Sequence, residues 1–169
     1  MKVLFLDRDW TINELLDKSY ICNPNDVKLL PFAKEVLTKL REKYKLMLIT
    51  NQTWIGAWYY SYDDFVKVNK KIEDLLWFKF DAIYYCAHSP DEGCLCRKPN
   101  IWLFLQAKKD FKSIDWANSY MIGDKCKDVQ AWKKVWLKTI LLWDHCDADF
   151  KVSWWEEILH LLDSNNGKV

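Results

Sequence analysis

A four-residue apolar run, Val3-Leu4-Phe5-Leu6, stops abruptly at Asp7 and Asp9, and the same design recurs along the chain. Such a run has the character of a strand buried on both faces, which delivers its polar end to the carboxyl edge of a parallel sheet. Phe32, Val36, Leu37 and Leu40 then recur at helical spacing, and residues 44–50 read as a second buried strand closing on Thr50-Asn51. Helical spacing through Phe65, Val68, Ile72 and Leu75 predicts a helix over 63–76, followed by a strand over 81–86. A helix near 101–111, a strand over 119–122 ending at Gly123-Asp124, a helix near 127–135 and a strand over 137–142 continue the series. An amphipathic helix is expected over 154–162, and the polar tail from Asp163 is expected to fray. Alternation of this kind predicts an α/β fold: a Rossmann-like, mainly parallel sheet flanked by helices, in one domain over 1–169.

Charge narrows the partners. The 25 basic and 24 acidic residues leave a net charge of +1, so nothing advertises nucleic acid or an anionic membrane. The longest apolar runs fall short of the ~20 residues that a spanning helix needs. The N-terminal run is too short and too soon charged for a signal peptide. A cytoplasmic monomer is expected, and any recognition of phosphate must be local.

In open α/β sheets the ligand crevice lies beyond the carboxyl ends of the strands, where this chain places Asp7, Asp9, Thr50, Asn51 and Asp124. Two aspartates one residue apart can divide a phosphoryl transfer. Asp7 attacks phosphorus, while Asp9 protonates the leaving oxygen and later deprotonates water. Facing carboxylates repel, so Asp124 makes sense if Mg²⁺ sits between them and a phosphate dianion. Lys98 would neutralise charge on the transferred group, and Thr50 would donate a hydrogen bond to it. For any one aspartate alone, a turn or capping role is the better explanation; together they point to catalysis on a small phosphorylated metabolite.

The ordered set Asp7-Arg8-Asp9-x-Thr11, Thr50-Asn51-Gln52, Arg97-Lys98-Pro99 and Gly123-Asp124-Lys125 with Asp128 resembles the four motifs of haloacid dehalogenase phosphatases. The resemblance covers nearly the whole chain. It is most similar to the heptose bisphosphate phosphatases, with Tyr84-Tyr85-Cys86 before a loop and Cys96-Arg97-Lys98-Pro99 after it; histidinol phosphatases share much of this. The resemblance implies a phosphoaspartate on Asp7, acid and base work by Asp9, and Mg²⁺ held by Asp7, the Asp9 carbonyl and Asp124. It implies that Thr50 and Lys98 steady the phosphoryl group, and that Asn51, Gln52, Thr53, Arg97 and Lys125 contact substrate. It also implies the 7-phosphate of D-glycero-D-manno-heptose 1,7-bisphosphate as the ester cleaved, with histidinol phosphate as the rival. The chain lacks room for a large cap domain, so loops alone should close over the substrate.

Cys86-x-His88 and Cys94-x-Cys96 supply three thiolates and an imidazole, a closed tetrahedral set of the kind structural Zn²⁺ prefers. The zinc would order a loop over 86–97 rich in breakers and so position Arg97 and Lys98. Cys22, Cys126 and Cys146 read as ordinary thiols, and His145 and His160 as surface or core residues.

Eleven tryptophans stand against four glycines, although glycine ordinarily makes up about 7% of a chain. Where the family motif has glycine after the second aspartate this chain has Trp10, and the same exchange occurs at Trp54, Trp58, Trp102, Trp132 and Trp136. Trp77 and Trp143 also sit at expected turns, while Trp116, Trp154 and Trp155 are ambiguous. One explanation is a gene whose UGA codons mean glycine and have been rendered as tryptophan. The other is that the indoles are real and crowd the crevice, leaving an inactive binding or scaffold protein.

Overall fold

The computed structural model describes residues 1–15, 20–133, 137–143 and 146–165. The buried runs become strands β1 (Val3–Leu6), β2 (Lys45–Asn51), β3 (Ala82–Cys86), β4 (Tyr120–Gly123) and β5 (Lys138–Leu142), joined by a short β6 (Phe150–Val152). They form one sheet in the order β3-β2-β1-β4-β5-β6, with every pairing parallel. Between them run helices α1 (Ala33–Leu40), α2 (Thr53–Gly56), α3 (Tyr62–Leu76), α4 (Trp102–Asp110), α5 (Cys126–Lys133) and α6 (Trp155–Asn165). No helix among the described residues is long and apolar enough to cross a membrane.

Alternation along each strand divides the core into two layers. Leu4 and Leu6 of β1 and Leu46 and Leu48 of β2 face the layer built with α1, α3 and α6. Val3, Phe5, Met47 and Ile49 face the layer under α4. Both faces of the sheet are covered, which is why the strands read as continuous apolar runs and not as alternating ones. α3 opens with a capping box in which Ser61 and Asp64 satisfy each other's backbone amides.

The chain leaves β1 towards β2 and β3, then returns to lay β4 on the other side of β1, so the topological switch point falls between β1 and β4. Asp7 and Asp124 follow these two strands, and the Asp7 amide donates to the Ile122 carbonyl at 3.0 Å. On the far side of the loop after β1, Trp155 of α6 is 1% exposed, and its Nε1 donates to the Thr11 carbonyl at 2.7 Å. Two elements escaped the sequence reading, α2 with four residues and β6 with three, because neither is long enough to show a period. α6 runs to Asn165, past the expected end at 162. Trp136, His145 and the last part of the helix expected to 135 lie outside the described residues.

Candidate active site

Asp7, Asp124 and Asp128 bring carboxylate oxygens within 4.8 Å of one another at the switch point. Lys98 enters the cluster from the loop after β3. Its ammonium contacts Asp7 Oδ2 at 3.0 Å and Asp128 Oδ1 at 2.8 Å, and it donates to the Ile49 carbonyl at 2.8 Å. Burial works against the charge on Lys98, yet Asp128 and Asp7 outweigh it and hold its pKa above that of an ordinary lysine. Burial alone would raise Asp7, but Lys98 and then Lys127 hold it below the usual carboxylate range; Asp7 Oδ1 also accepts from the Arg8 amide at 2.8 Å.

Asp7 is the exception in this cluster, since burial raises Asp128 and also Asp124. Burial, followed by repulsion from Asp7 and Asp128, pushes Asp124 up to about 7. Its Oδ1 is buried and takes no hydrogen bond among the described residues, and its side chain is 8% exposed. An unpartnered buried oxygen facing two other carboxylates is the environment a hard divalent cation relieves, and the all-oxygen donor set suits Mg²⁺.

Asp9 is held apart from that cluster by donors on its own carboxylate. Arg8 binds it through two nitrogens, Nε to Oδ1 and Nη2 to Oδ2, each at 3.1 Å. Gln52 Nε2 donates to Asp9 Oδ2 at 2.7 Å, and Asn13 Nδ2 to Oδ1 at 3.2 Å. Gln52 also donates to Thr50 Oγ1 at 2.9 Å, while its own Oε1 accepts from Arg8 at 2.8 Å and from the Tyr60 hydroxyl at 2.6 Å. The side chain of Arg8 is fully buried, with Phe65 beneath the guanidinium. Expected to touch substrate, Gln52 thus spends its amide on Asp9, Thr50, Arg8 and Tyr60. Asn51 likewise braces the backbone of Lys98, accepting from its amide at 3.0 Å and donating to its carbonyl at 3.2 Å, though it also lines the crevice.

Of the remaining predicted residues, Lys125 lines the crevice, whereas Thr53 and Arg97 are not among its lining residues. A crevice of about 130 Å³ is lined by Asp7, Asp9, Leu15, Tyr20, Asn51, Lys125 and Lys127. Lys125 is half exposed and lies 3.7 Å from Asp124. Arg97 donates to Thr53 Oγ1 at 2.7 Å and to the His88 carbonyl at 3.1 Å, joining α2 to the loop after β3. A larger groove of about 670 Å³ between α3 and β3, lined by Tyr62, Phe65, Trp77 and Tyr85 among others, holds none of these carboxylates.

In that loop the four predicted metal donors converge. Cys96 Sγ lies 3.1 Å from Cys86 Sγ and 3.6 Å from Cys94 Sγ, and His88 Nδ1 lies 3.2 Å from Cys96 and 3.6 Å from Cys86. A tetrahedral zinc with bonds of about 2.3 Å to sulfur sets its sulfur ligands about 3.8 Å apart; the two edges to Cys94, at 3.6 Å, approach this and the Cys86–Cys96 edge, at 3.1 Å, is shorter. The turn between the two ligand pairs is made by Pro90–Glu92 and by Gly93 at φ 60°.

Residues 2–158 match the family model described as Polynucleotide kinase 3 phosphatase. D-glycero-beta-D-manno-heptose-1,7-bisphosphate 7-phosphatase of Helicobacter pylori is 40% identical over 146 residues, which is 83% of this chain and 83% of that one. The chain belongs to the heptose-1,7-bisphosphate 7-phosphatase family. It is a phosphatase of the haloacid dehalogenase type. The Campylobacter jejuni relative, named for the alpha anomer, is 37% identical over 148 residues, covering 83% of this chain and 81% of its own. In fold, the phosphatase superposes on D,D-heptose 1.7-bisphosphate phosphatase from B. bronchiseptica with a TM-score of 0.87 at 22% identity, over 98% of this chain and 99% of that one. That structure is a complex with magnesium and phosphate.

Four residues of this phosphatase's site were missed by sequence reasoning: Lys127 in the crevice, the Arg8 and Tyr60 partners of Gln52, and Tyr20 at the mouth. Lys127 could have been anticipated, since three clustered acids call for a second cation beside Lys98; burial draws it below an ordinary lysine, with Asp7 opposing. Cys126 and Cys146 are not free thiols as expected. They form a disulfide, Cα to Cα 5.5 Å, tying the start of α5 to the segment before β6, and their 20-residue separation gave no signal.

Proposed function

We propose that the enzyme removes the 7-phosphate of D-glycero-D-manno-heptose 1,7-bisphosphate through a phosphoaspartate on Asp7. The observation that carries the chemistry is Asp7 itself, kept ionised by Lys98 and Lys127 at the switch point of the sheet, beside the unpartnered oxygen of Asp124. The substrate is carried by the relatives, whose names give both anomers of that sugar bisphosphate. A net charge of +1 favours a small ester over a polynucleotide.

In this reading an Asp7 oxygen attacks phosphorus as the bond to the sugar oxygen breaks, and Asp9 gives that oxygen its proton. Asp9 then takes a proton from water as the water oxygen displaces Asp7, releasing phosphate. Lys98 and the Thr50 hydroxyl stabilise the charge that spreads over the equatorial oxygens. Lys125 and Arg97, with Asn51 and Thr53 nearby, face the sugar and its second phosphate, while Gln52 acts through Asp9. Asp7, Asp124 and the Asp9 carbonyl would hold Mg²⁺, which neutralises the meeting of carboxylates with a phosphate dianion when bound. Cys86, His88, Cys94 and Cys96 would hold a structural zinc that orders the loop over 86–97 and keeps Arg97 against Thr53.

Phosphate release over a panel that includes both heptose bisphosphate anomers and histidinol phosphate tests the proposal. Turnover is expected on a heptose bisphosphate, at least tenfold above histidinol phosphate in kcat/KM, and Asp7→Asn should lower kcat by about 10³-fold or more. Preference for histidinol phosphate would overturn the substrate; full turnover by Asp7→Asn would overturn the nucleophile.

A further inference from the structure

We infer that the protein made in its own cell carries glycine, not tryptophan, at positions 10, 58, 77 and 143, its gene being read with UGA as glycine. Among the described residues, five that are not glycine have positive φ: Trp10 at 57°, Phe32 at 63°, Trp58 at 62°, Trp77 at 68° and Trp143 at 63°. In this region a Cβ crowds the following carbonyl, so left-handed backbone is a glycine conformation that a bulky side chain enters only at a cost. Four of the five are tryptophan, although tryptophan makes up only 11 of 169 residues.

Three of the four positions perform a task that suits glycine. Trp77 is the left-handed cap of α3, its amide donating back to the Glu73 carbonyl at 2.9 Å, the place where helices most often end in glycine. Trp58 turns the chain after α2, and Trp10 turns it directly after Asp9, its amide donating to the Asn13 carbonyl at 2.8 Å. The indoles at 58 and 77 return little for the strain, whereas the Trp143 indole donates to the Ser153 carbonyl. Trp58 is 93% exposed; Trp77 is 83% exposed with the Lys34 ammonium over its ring. Trp10 and Trp143 meet edge to face, 6.3 Å between centroids.

The same chain holds tryptophans of the opposite kind. Trp155 is buried and hydrogen-bonded, and Trp116 stacks on Phe5 at 5.7 Å; neither has positive φ. Backbone conformation therefore sorts the tryptophans into two populations, which composition could not do. Trp54, Trp102 and Trp132 sit on helical backbone that any residue tolerates, and Trp136 is outside the described residues, so conformation is silent on them. Phe32 shows that one such strain can be borne, and its codons are unrelated to UGA. A tryptophan reading of UGA converts every glycine so encoded and spares those with GGN codons, as at Gly56, whose Cβ would lie 2.5 Å from the Ala87 carbonyl oxygen. Counting 54, 102, 132 and 136 with the four, the four glycines present become twelve in 169, the ordinary share of about 7%.

The inference bears on the crevice without depending on any substrate. At about 130 Å³ it is smaller than the roughly 300 Å³ at which small-molecule sites begin. Glycine at 10 removes an indole from the turn beside Asp9, and glycine at 54 would free Tyr20, which lines the crevice and packs against Trp54 at 5.4 Å.

The gene and the native protein supply the test. UGA is expected at codons 10, 58, 77 and 143, and mass spectrometry of tryptic peptides from the source cells should show glycine at all four. A UGG codon, or tryptophan in a native peptide, at any of them overturns the inference. Recombinant chains give an independent arm: the Trp10→Gly, Trp58→Gly, Trp77→Gly, Trp143→Gly variant should melt about 10 °C higher than the chain as written. An equal or lower Tm would overturn the strain argument.

Discussion

In the proposed mechanism Gln52 separates residues that meet substrate from those that hold a catalytic group in place. With its amide committed to Asp9, Thr50, Arg8 and Tyr60, its loss should disturb proton transfer and leave sugar binding intact. Gln52→Ala is expected to lower kcat at least tenfold with KM within about twofold; a rise in KM with kcat unchanged would return Gln52 to the substrate. Arg8→Lys should be as damaging as Arg8→Met, about 100-fold in kcat, because lysine cannot reproduce the two-nitrogen grip on Asp9. Asp124 gives the pH dependence. Its folded pKa of about 7 lies above the ordinary value, so in metal-free protein it adds stability at low pH that is lost as pH rises from about 4 through 7. Magnesium needs the carboxylate, so apparent Mg²⁺ affinity should fall about tenfold per pH unit below pH 7 and level off above it. Half-saturating Mg²⁺ for phosphate release, measured at pH 6 and pH 8, checks this; equal values would count against it. At this scale the convergence of Asp7 with Asp124, and of Cys86 and His88 with Cys94 and Cys96, was legible because each stands at a strand end or in a tight spacing. Arg8, Tyr60 and Lys127 were not, since their roles come from partners that only the folded chain brings near.

The loop after β3 is an element without a core of its own. It is held by the Cys86, His88, Cys94 and Cys96 cluster, by a capping box from Ser89 to Glu92 and by the Arg97 bridge to Thr53. Metal analysis should find one zinc per chain that survives magnesium chelation. Cys94→Ser should lose it, raise KM by about tenfold through a displaced Arg97, and alter kcat less. Unchanged KM in the zinc-free variant would make the loop irrelevant to substrate. Strands β1 to β5 and helices α1, α3 and α4 could be read from the sequence within a few residues, because burial on both faces and a 3.6-residue period leave strong traces. Elements α2 and β6 leave none, being shorter than one clear period, and the Cys126–Cys146 link joins residues with no shared pattern.

For the molecule as a whole, alternating strands and helices implied a parallel sheet, and the order β3-β2-β1-β4-β5-β6 adds what the pattern alone could not, that β1 and β4 are neighbours. Their register sets Phe5 opposite Met121 and Leu6 opposite Ile122, with Asp7 following β1 and Asp124 following Gly123 at the end of β4. Side chains alternate with a period of two, so a slip of one place between these strands would turn Met121 and Ile122 to the wrong layers while shifting Asp124 away from Asp7. Oil-like packing and catalytic alignment are consequently set by a single ladder of amide contacts. A misfolded copy cannot keep the interior and lose only the chemistry, so inactive but well-packed isomers of this chain have no easy route into existence.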